Sequence, residues 1–189
     1  VQINKGIVAS DQVKKRRSQT TIPRYTVLVL DTSGSMTGLP MQKAKAAANK
    51  FVTQMLAAKG ENYIAIVGFS TGAKVYSQFT TSSSALEQAI SNLSENGGTE
   101  TNQGLLKAAD LFKQVNKQDI IKNIVVLSDG EPQDGEAAIK TADNLSDQKH
   151  NIYSLGFFHI LSGTGLDRAR TFMDRIQNAG YYDVTSTDE

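Results

Sequence analysis

The residues that could do chemistry begin at the end of an apolar run. In "VLVLDTSGSMTG", residues 27–38, Asp31 closes the run, and Ser33 and Ser35 follow at a spacing of two. Two further polar clusters follow apolar or glycine-rich stretches, "GGTET" at 97–101 and "SDGEPQDG" at 128–135. Together they offer Asp31, Ser33, Ser35, Thr99 and Asp129. All five are oxygen donors, without imidazole or thiolate, a set that suits a hard cation such as Mg²⁺, with Mn²⁺ or Ca²⁺ as substitutes, and is poor for zinc. Gly34 is expected to let the chain turn so that both serine hydroxyls face one point, and Gly97 with Gly98 to let a second loop approach closely. Only two of the donors carry charge, so a dication held partly through water stays under-neutralised and seeks an anion.

The elements that must bring these clusters together can be read from periodicity. "YTVLVL" (25–30), "NYIAIVGFS" (62–70), "IKNIVVLSD" (121–129) and "NIYSLGFF" (151–158) are nearly continuous apolar runs, as strands covered on both faces should be. Helical spacing separates them. Met41, Ala44, Ala48, Phe51 and Met55 form one stripe after Pro40 and before Gly60, and "TSSSALEQAISNLS" reads as a short helix with serine caps. Leu105, Ala108, Ala109, Phe112 and Val115 line a third helix, Ala138, Ala142 and Leu145 a fourth, and Leu166, Ala169, Phe172 and Ile176 a last one before "YYDV". "AKVYSQFT" (73–80) alternates after Gly72, as a hairpin partner at a sheet edge does. Strands alternating with helices imply βαβ units, hence an α/β fold with a mostly parallel sheet and helices on both faces. Ligands of such sheets collect at the carboxyl ends of the strands, where the three polar clusters fall.

Composition narrows the function. The 189 residues, 39% hydrophobic, have the size of one domain, and 20 basic against 19 acidic side chains leave a net charge of +1. No global field favours nucleic acid or an anionic membrane. The absence of cysteine excludes a disulfide framework, a thiolate metal site and a cysteine nucleophile. No window is apolar enough for a membrane span, and the chain reads as an excised module of a larger protein, without direct membrane insertion. Residues 1–22, with "KKRR" at Lys14 to Arg17, read as an N-terminal extension and solvated connector after a short strand.

The DxSxS run at Asp31, Ser33 and Ser35, the threonine of "GGTET" at Thr99 and the aspartate of "LSDG" at Asp129 resemble the metal-ion-dependent adhesion site of von Willebrand factor A domains, which integrin I domains share. The resemblance covers about residue 24 to the end, so 23–189 is taken as the domain, and Thr99 rather than Thr101 matches the ligand that directly follows the glycine-rich turn. It implies an open, doubly wound, Rossmann-like sheet with one short antiparallel edge strand. It implies that Ser33, Ser35 and sometimes Thr99 touch the metal, with Asp31 and Asp129 acting partly through water, and that a carboxylate of a protein partner fills the remaining position. A non-enzymatic adhesion or assembly module at the cell surface or secreted follows, with an intracellular assembly factor as the alternative. The family's last helix is expected to be truncated after Glu189.

Other readings of the motifs are weaker. "GFSTG" (68–72) satisfies GxSxG, and Asp129 and His159 follow Ser70 in the order of an α/β-hydrolase triad, but a nucleophile elbow needs a helix where "AKVYSQFT" predicts a strand. "SGSMTG" lacks the lysine of a phosphate loop. His150 and His159 read as a polar flank and a loop residue, Tyr181 and Tyr182 as packing residues, and Glu131 and Asp134 as solvated loop charge. Partner specificity is expected in the loops "MTGL", "ENGG", "EPQDGE" and "FHILSGTG".

Overall fold

The computed structural model describes residues 22–130, 132–158 and 161–184. Most of the N-terminal extension, Glu131, His159 and the segment where a truncated last helix was expected lie outside the described residues. Six strands, β1 (Arg24–Asp31), β2 (Asn62–Phe69), β3 (Ala73–Thr80), β4 (Ile121–Ser128), β5 (His150–Gly156) and β6 (Gly180–Asp183), form one sheet in the order β3-β2-β1-β4-β5-β6. All neighbours are parallel except β2 and β3, so β3 is the antiparallel edge strand that its alternation predicted.

Among the described residues, five helices cover the sheet: α1 (Leu39–Ala57), α2 (Ser83–Ser91), α3 (Thr101–Lys113), α4 (Gly135–Asp147) and α5 (Gly163–Arg175). Side chains of a strand alternate between its faces, and the core divides accordingly. Leu28, Leu30, Ile64, Ile66, Val125 and Leu127 meet α1 and α2 through Met41, Phe51, Met55, Leu86 and Ile90. Val27, Val29, Val67, Ile124, Val126 and Ile152 meet α3, α4 and α5 through Leu105, Phe112, Leu145, Phe172 and Met173. Burial on both faces is why these strands read as unbroken apolar runs. Gly104 lets α3 lie against the sheet, because a Cβ there would meet Val29 at 2.6 Å and Phe69 at 2.9 Å.

Two expectations shift. The third helix ends at Lys113, which leaves Val115 outside it and puts Leu111 on its buried face instead. His150 is no polar flank. It is 4% exposed, its Nδ1 lies 3.0 Å from the Leu145 carbonyl, and its ring stands edge-on to Phe112 at 5.0 Å.

The strand order places a topological switch between β1 and β4. The chain leaves β1 toward the α1 face and leaves β4 toward the α4 face, which opens a crevice at the carboxyl ends of these two strands. Asp31 ends the first and Asp129 directly follows the second.

Candidate metal centre

The crevice gathers four of the five expected donors into one hydrogen-bonded cluster. Asp31 is fully buried, and its two oxygens are held apart: Oδ1 accepts the Ser33 amide at 2.8 Å, and Oδ2 accepts the Ser128 hydroxyl at 2.5 Å. Past Asp31 the chain makes a 3-10 turn over Gly34–Met36, which stacks the serine hydroxyls 3.0 Å apart. The Ser35 hydroxyl donates to Asp129 Oδ1 at 3.0 Å, and this bond joins the β1 loop to the β4 loop across 94 residues. Ser33 is buried, while Ser35 stands exposed at the mouth.

Thr99 lies on the third loop, which is laced to the other two through the backbone. The Gly34 amide donates to the Gly97 carbonyl at 3.0 Å, Asn96 to Thr32 at 2.8 Å, and Gln133 to Thr99 at 2.8 Å. The close approach expected of this loop uses Gly97, with φ of +80°, while Gly34 lies in the 3-10 turn that stacks the serines. Thr99 is half-buried, and among the described residues its hydroxyl makes no hydrogen bond, neither to the four-residue cluster nor as a cap of α3. Thr101, two residues on, is fully buried with its own hydroxyl unpartnered.

The electrostatics of the cluster are those of a site short of positive charge. Burial pushes the Asp129 carboxyl up to about 6, the neighbouring Asp31 charge adds to the rise, and the Ser35 hydroxyl opposes it. Burial likewise raises Asp31, against the hydrogen bonds from Ser128 and Ser33. Asp129 Oδ2 is enclosed without a hydrogen-bond partner, an expensive state for a carboxylate oxygen. Among the described residues no lysine or arginine pairs with either aspartate. Nor is there, among them, a cluster of three or more His, Cys, Asp or Glu able to hold a metal. Two carboxylates with stacked hydroxyls form a different donor set, and it fits a hard, oxygen-seeking cation.

Several partners were not visible from sequence. Ser128 fixes Asp31, and its only sequence signal was a hydroxyl just before Asp129 at a strand end. Asp134, expected as solvated charge, is half-buried, and its Oδ2 accepts the Asn102 amide at 2.9 Å. Ser70 sits in a bend that leads directly into β3, its carbonyl taking the Glu100 amide at 2.8 Å, so the strand, turn and helix of a nucleophile elbow are not formed.

Comparison with known proteins agrees with this architecture. Residues 26–188 match the profile of the von Willebrand factor type A domain. An uncharacterized protein of Synechocystis sp. is 31% identical over 140 residues, covering 72% of this chain and 32% of that protein. Inter-alpha-trypsin inhibitor heavy chain H4 of Sus scrofa is 28% identical over 175 residues, covering 85% of this chain and 18% of its own. The chain thus spans a third or less of these relatives. Among solved structures, the vWF domain of the type V pili tip protein Mfa5 from Porphyromonas gingivalis superposes with a TM-score of 0.72 at 17% identity, covering 86% of this chain and 90% of that one. Proximal thread matrix protein 1 from the mussel byssus, described with a zinc-occupied adhesion-site motif, superposes with a TM-score of 0.69 at 17% identity, covering 86% and 41%.

Proposed function

Because the chain belongs to the von Willebrand factor type A domain family, whose members generally mediate protein–protein interactions, we propose that it is a binding module that holds one Mg²⁺ at the switch-point crevice and captures an Asp or Glu carboxylate of a protein partner. The observation that carries this reading is the pair of buried, unpaired aspartates, Asp31 and Asp129, with one carboxylate oxygen of Asp129 left without a donor.

Asp31, Ser33, Ser35, Thr99 and Asp129 would hold the ion. Bound there, it would supply a positive centre able to take an anionic oxygen from outside. The chain's own part is orientation. Ser128 and the Ser33 amide fix Asp31, the 3-10 turn stacks the serine hydroxyls, and Ser35 reaches Asp129. Hydroxyls neutralise nothing, so a dication held there partly through water would keep positive character for the partner, and Mg²⁺ retains waters that an incoming carboxylate can displace. The zinc in the byssus protein's motif supports a metal at this position of the fold, and the donor set here favours the harder ion.

In this reading the module is not an enzyme, spans residues 23–189 and acts as a monomeric part of a larger protein at the cell surface or secreted. The pilus-tip neighbour supports that placement. No helix among the described residues is long and apolar enough to cross a membrane.

The test has two stages. Calorimetry on chelator-stripped protein is expected to show one Mg²⁺ or Mn²⁺ per chain, lost in Asp31→Ala. A partner isolated by pull-down is then expected to be released by chelator and by Ser33→Ala and retained by Ser70→Ala. Equal weak heats for wild type and Asp31→Ala, or capture undiminished in chelator, would sink the proposal.

A further inference from the structure

The helix that follows Thr99 has no cap of its own. α3 begins at Thr101, and Glu100, in the capping position, makes no side-chain hydrogen bond to the first turn. The open amides are met instead from another loop. Asp134 Oδ2 accepts the Asn102 amide at 2.9 Å across 32 residues, and the Thr101 amide also acts on the carboxylate. An anion at this end of a helix is favoured by the amides and by the helix dipole together. The other oxygen, Oδ1, is enclosed without a partner, so the helix start is what holds this side chain. With its backbone, Asp134 opens a second helix: its carbonyl accepts the Ala138 amide at 3.0 Å in the first turn of α4.

Further ties surround the same point. The amide of Gln133 donates to the Thr99 carbonyl at 2.8 Å. Thr141 of α4 donates to Asn102 Oδ1 at 2.6 Å. A side chain on Gly98 would meet Gln133 Oε1 at 2.5 Å, so the loops before α3 and α4 are in close contact. Thr99 makes no side-chain hydrogen bond among the described residues, and its place is therefore set by this backbone lacing and by where α3 starts.

We propose that Asp134 is a positioning residue for the metal centre: by capping α3 from the loop that also carries Asp129, it fixes the Thr99 loop against the Asp129 loop and so sets the placement of the Thr99 hydroxyl. The inference rests on the metal-binding reading above and adds to it a residue that touches no ion. Its action is a hydrogen bond to backbone amides and not charge at a distance, so a neutral acceptor of the same shape can replace it.

Mn²⁺ affinity by calorimetry and urea stability in chelator, on the full chain, test this. Asp134→Ala is expected to weaken Mn²⁺ binding by roughly tenfold, the scale of losing an outer partner of a metal ligand. Asp134→Asn, which keeps the acceptor and removes the charge, is expected to retain nearly wild-type affinity. In a double-mutant cycle, Thr99→Ala and Thr99→Ala/Asp134→Ala are expected to bind alike, because the cap acts through Thr99. Ser82→Ala removes the cap of α2, where the Ser82 hydroxyl accepts the Ala85 amide at 3.3 Å, and is expected to lower stability with no change in affinity. Should Asp134→Ala not fold, Asp134→Ser serves in its place. An Asp134→Asn as weak as Asp134→Ala, additive losses in the cycle, or unchanged affinity in Asp134→Ala would each overturn the positioning role alone. A wild-type chain that takes no Mn²⁺ would overturn the metal reading and this inference with it.

Discussion

Replacing Asp129 with asparagine should stabilise the metal-free protein while removing its response to Mg²⁺. The substitution keeps an oxygen to accept the Ser35 hydroxyl and deletes one of two buried like charges. Moving a carboxyl from 3.8 to about 6 corresponds to about 3 kcal/mol of disfavoured ionisation. At pH 7 Asp129 is ionised in the fold, so nearly all of that cost is present. Asp129→Asn in chelator is then expected to gain about 2–3 kcal/mol, or about 4–12 °C in melting temperature for a domain of this size.

The pH dependence provides an internal check. A carboxyl raised in the fold holds its proton where the unfolded chain has lost it. Its contribution to stability is therefore complete below 3.8 and lost as pH rises through about 6. Urea unfolding of both proteins in chelator at a series of pH values should show the wild type falling relative to Asp129→Asn across that window. Mg²⁺ at a hundredfold excess over its dissociation constant should then raise the wild type by about 2.7 kcal/mol and leave the variant unmoved. An Asp129→Asn protein less stable than wild type in chelator at pH 7, or one equally stabilised by Mg²⁺, would refute the reasoning.

Two further substitutions probe the frame around the site. Burial holds the His150 imidazole below 6.5, helped by Lys122 and opposed by the Leu145 carbonyl, so its contribution is complete above 6.5 and lost as pH falls toward the depressed folded value. His150→Asn should flatten this part of the wild-type stability profile below pH 6.5, and identical acid-side slopes in urea titrations would contradict it. Gly104→Ala should destabilise by up to about 2 kcal/mol: the overpacking cost of about 1–3 kcal/mol against Val29 and Phe69 offsets or exceeds the gain of about 1 kcal/mol in helix propensity. A higher urea midpoint for Gly104→Ala would show that the contact yields freely.

What could be read from sequence and what could not differ in kind. The strands declared themselves because parallel strands covered on both faces leave little room for polar residues, and β3 declared itself by alternating at an edge. Asp31, Ser33, Ser35 and Asp129 were visible because donors at strand ends interrupt apolar runs abruptly. The contributions that stayed hidden are pairings across sequence. Ser128 meets Asp31 over 97 residues, and Asp134 caps a helix that starts in a different loop. Neither carries a local signature, since a serine before an aspartate and an aspartate in a polar loop are ordinary surface patterns. The glycines were legible in their two roles: Gly34 lies in the turn that stacks the serine hydroxyls, and Gly97 lies where the third loop comes against Gly34. Spacing shows that a tight approach must occur, and the structure puts the positive φ of that approach at Gly97. His150 was misread because a lone polar residue at a strand start looks solvated until Phe112 and the Leu145 carbonyl are seen to enclose it.

The fold and the site explain each other at the switch between β1 and β4. There these two adjacent parallel strands send their following chains to opposite faces, so Asp31 and Asp129 can converge without a helix filling the space between them. Burying both carboxyls there lowers the stability of the chain alone, since desolvation raises both and the Asp31 charge adds to the rise of Asp129. An internal lysine or arginine would relieve it but would also complete the charge balance, leaving nothing for an outside anion to satisfy. Hydroxyls at Ser33, Ser35 and Thr99 add ligand oxygens without adding charge. On the proposed reading, the crevice is therefore neutralised in two stages, by a cation that needs both aspartates and by a partner carboxylate that needs the cation. Because the second stage depends on the first, removing either aspartate should abolish partner capture, whereas altering the exposed loops that rim the crevice should change which partner is captured and leave the metal in place.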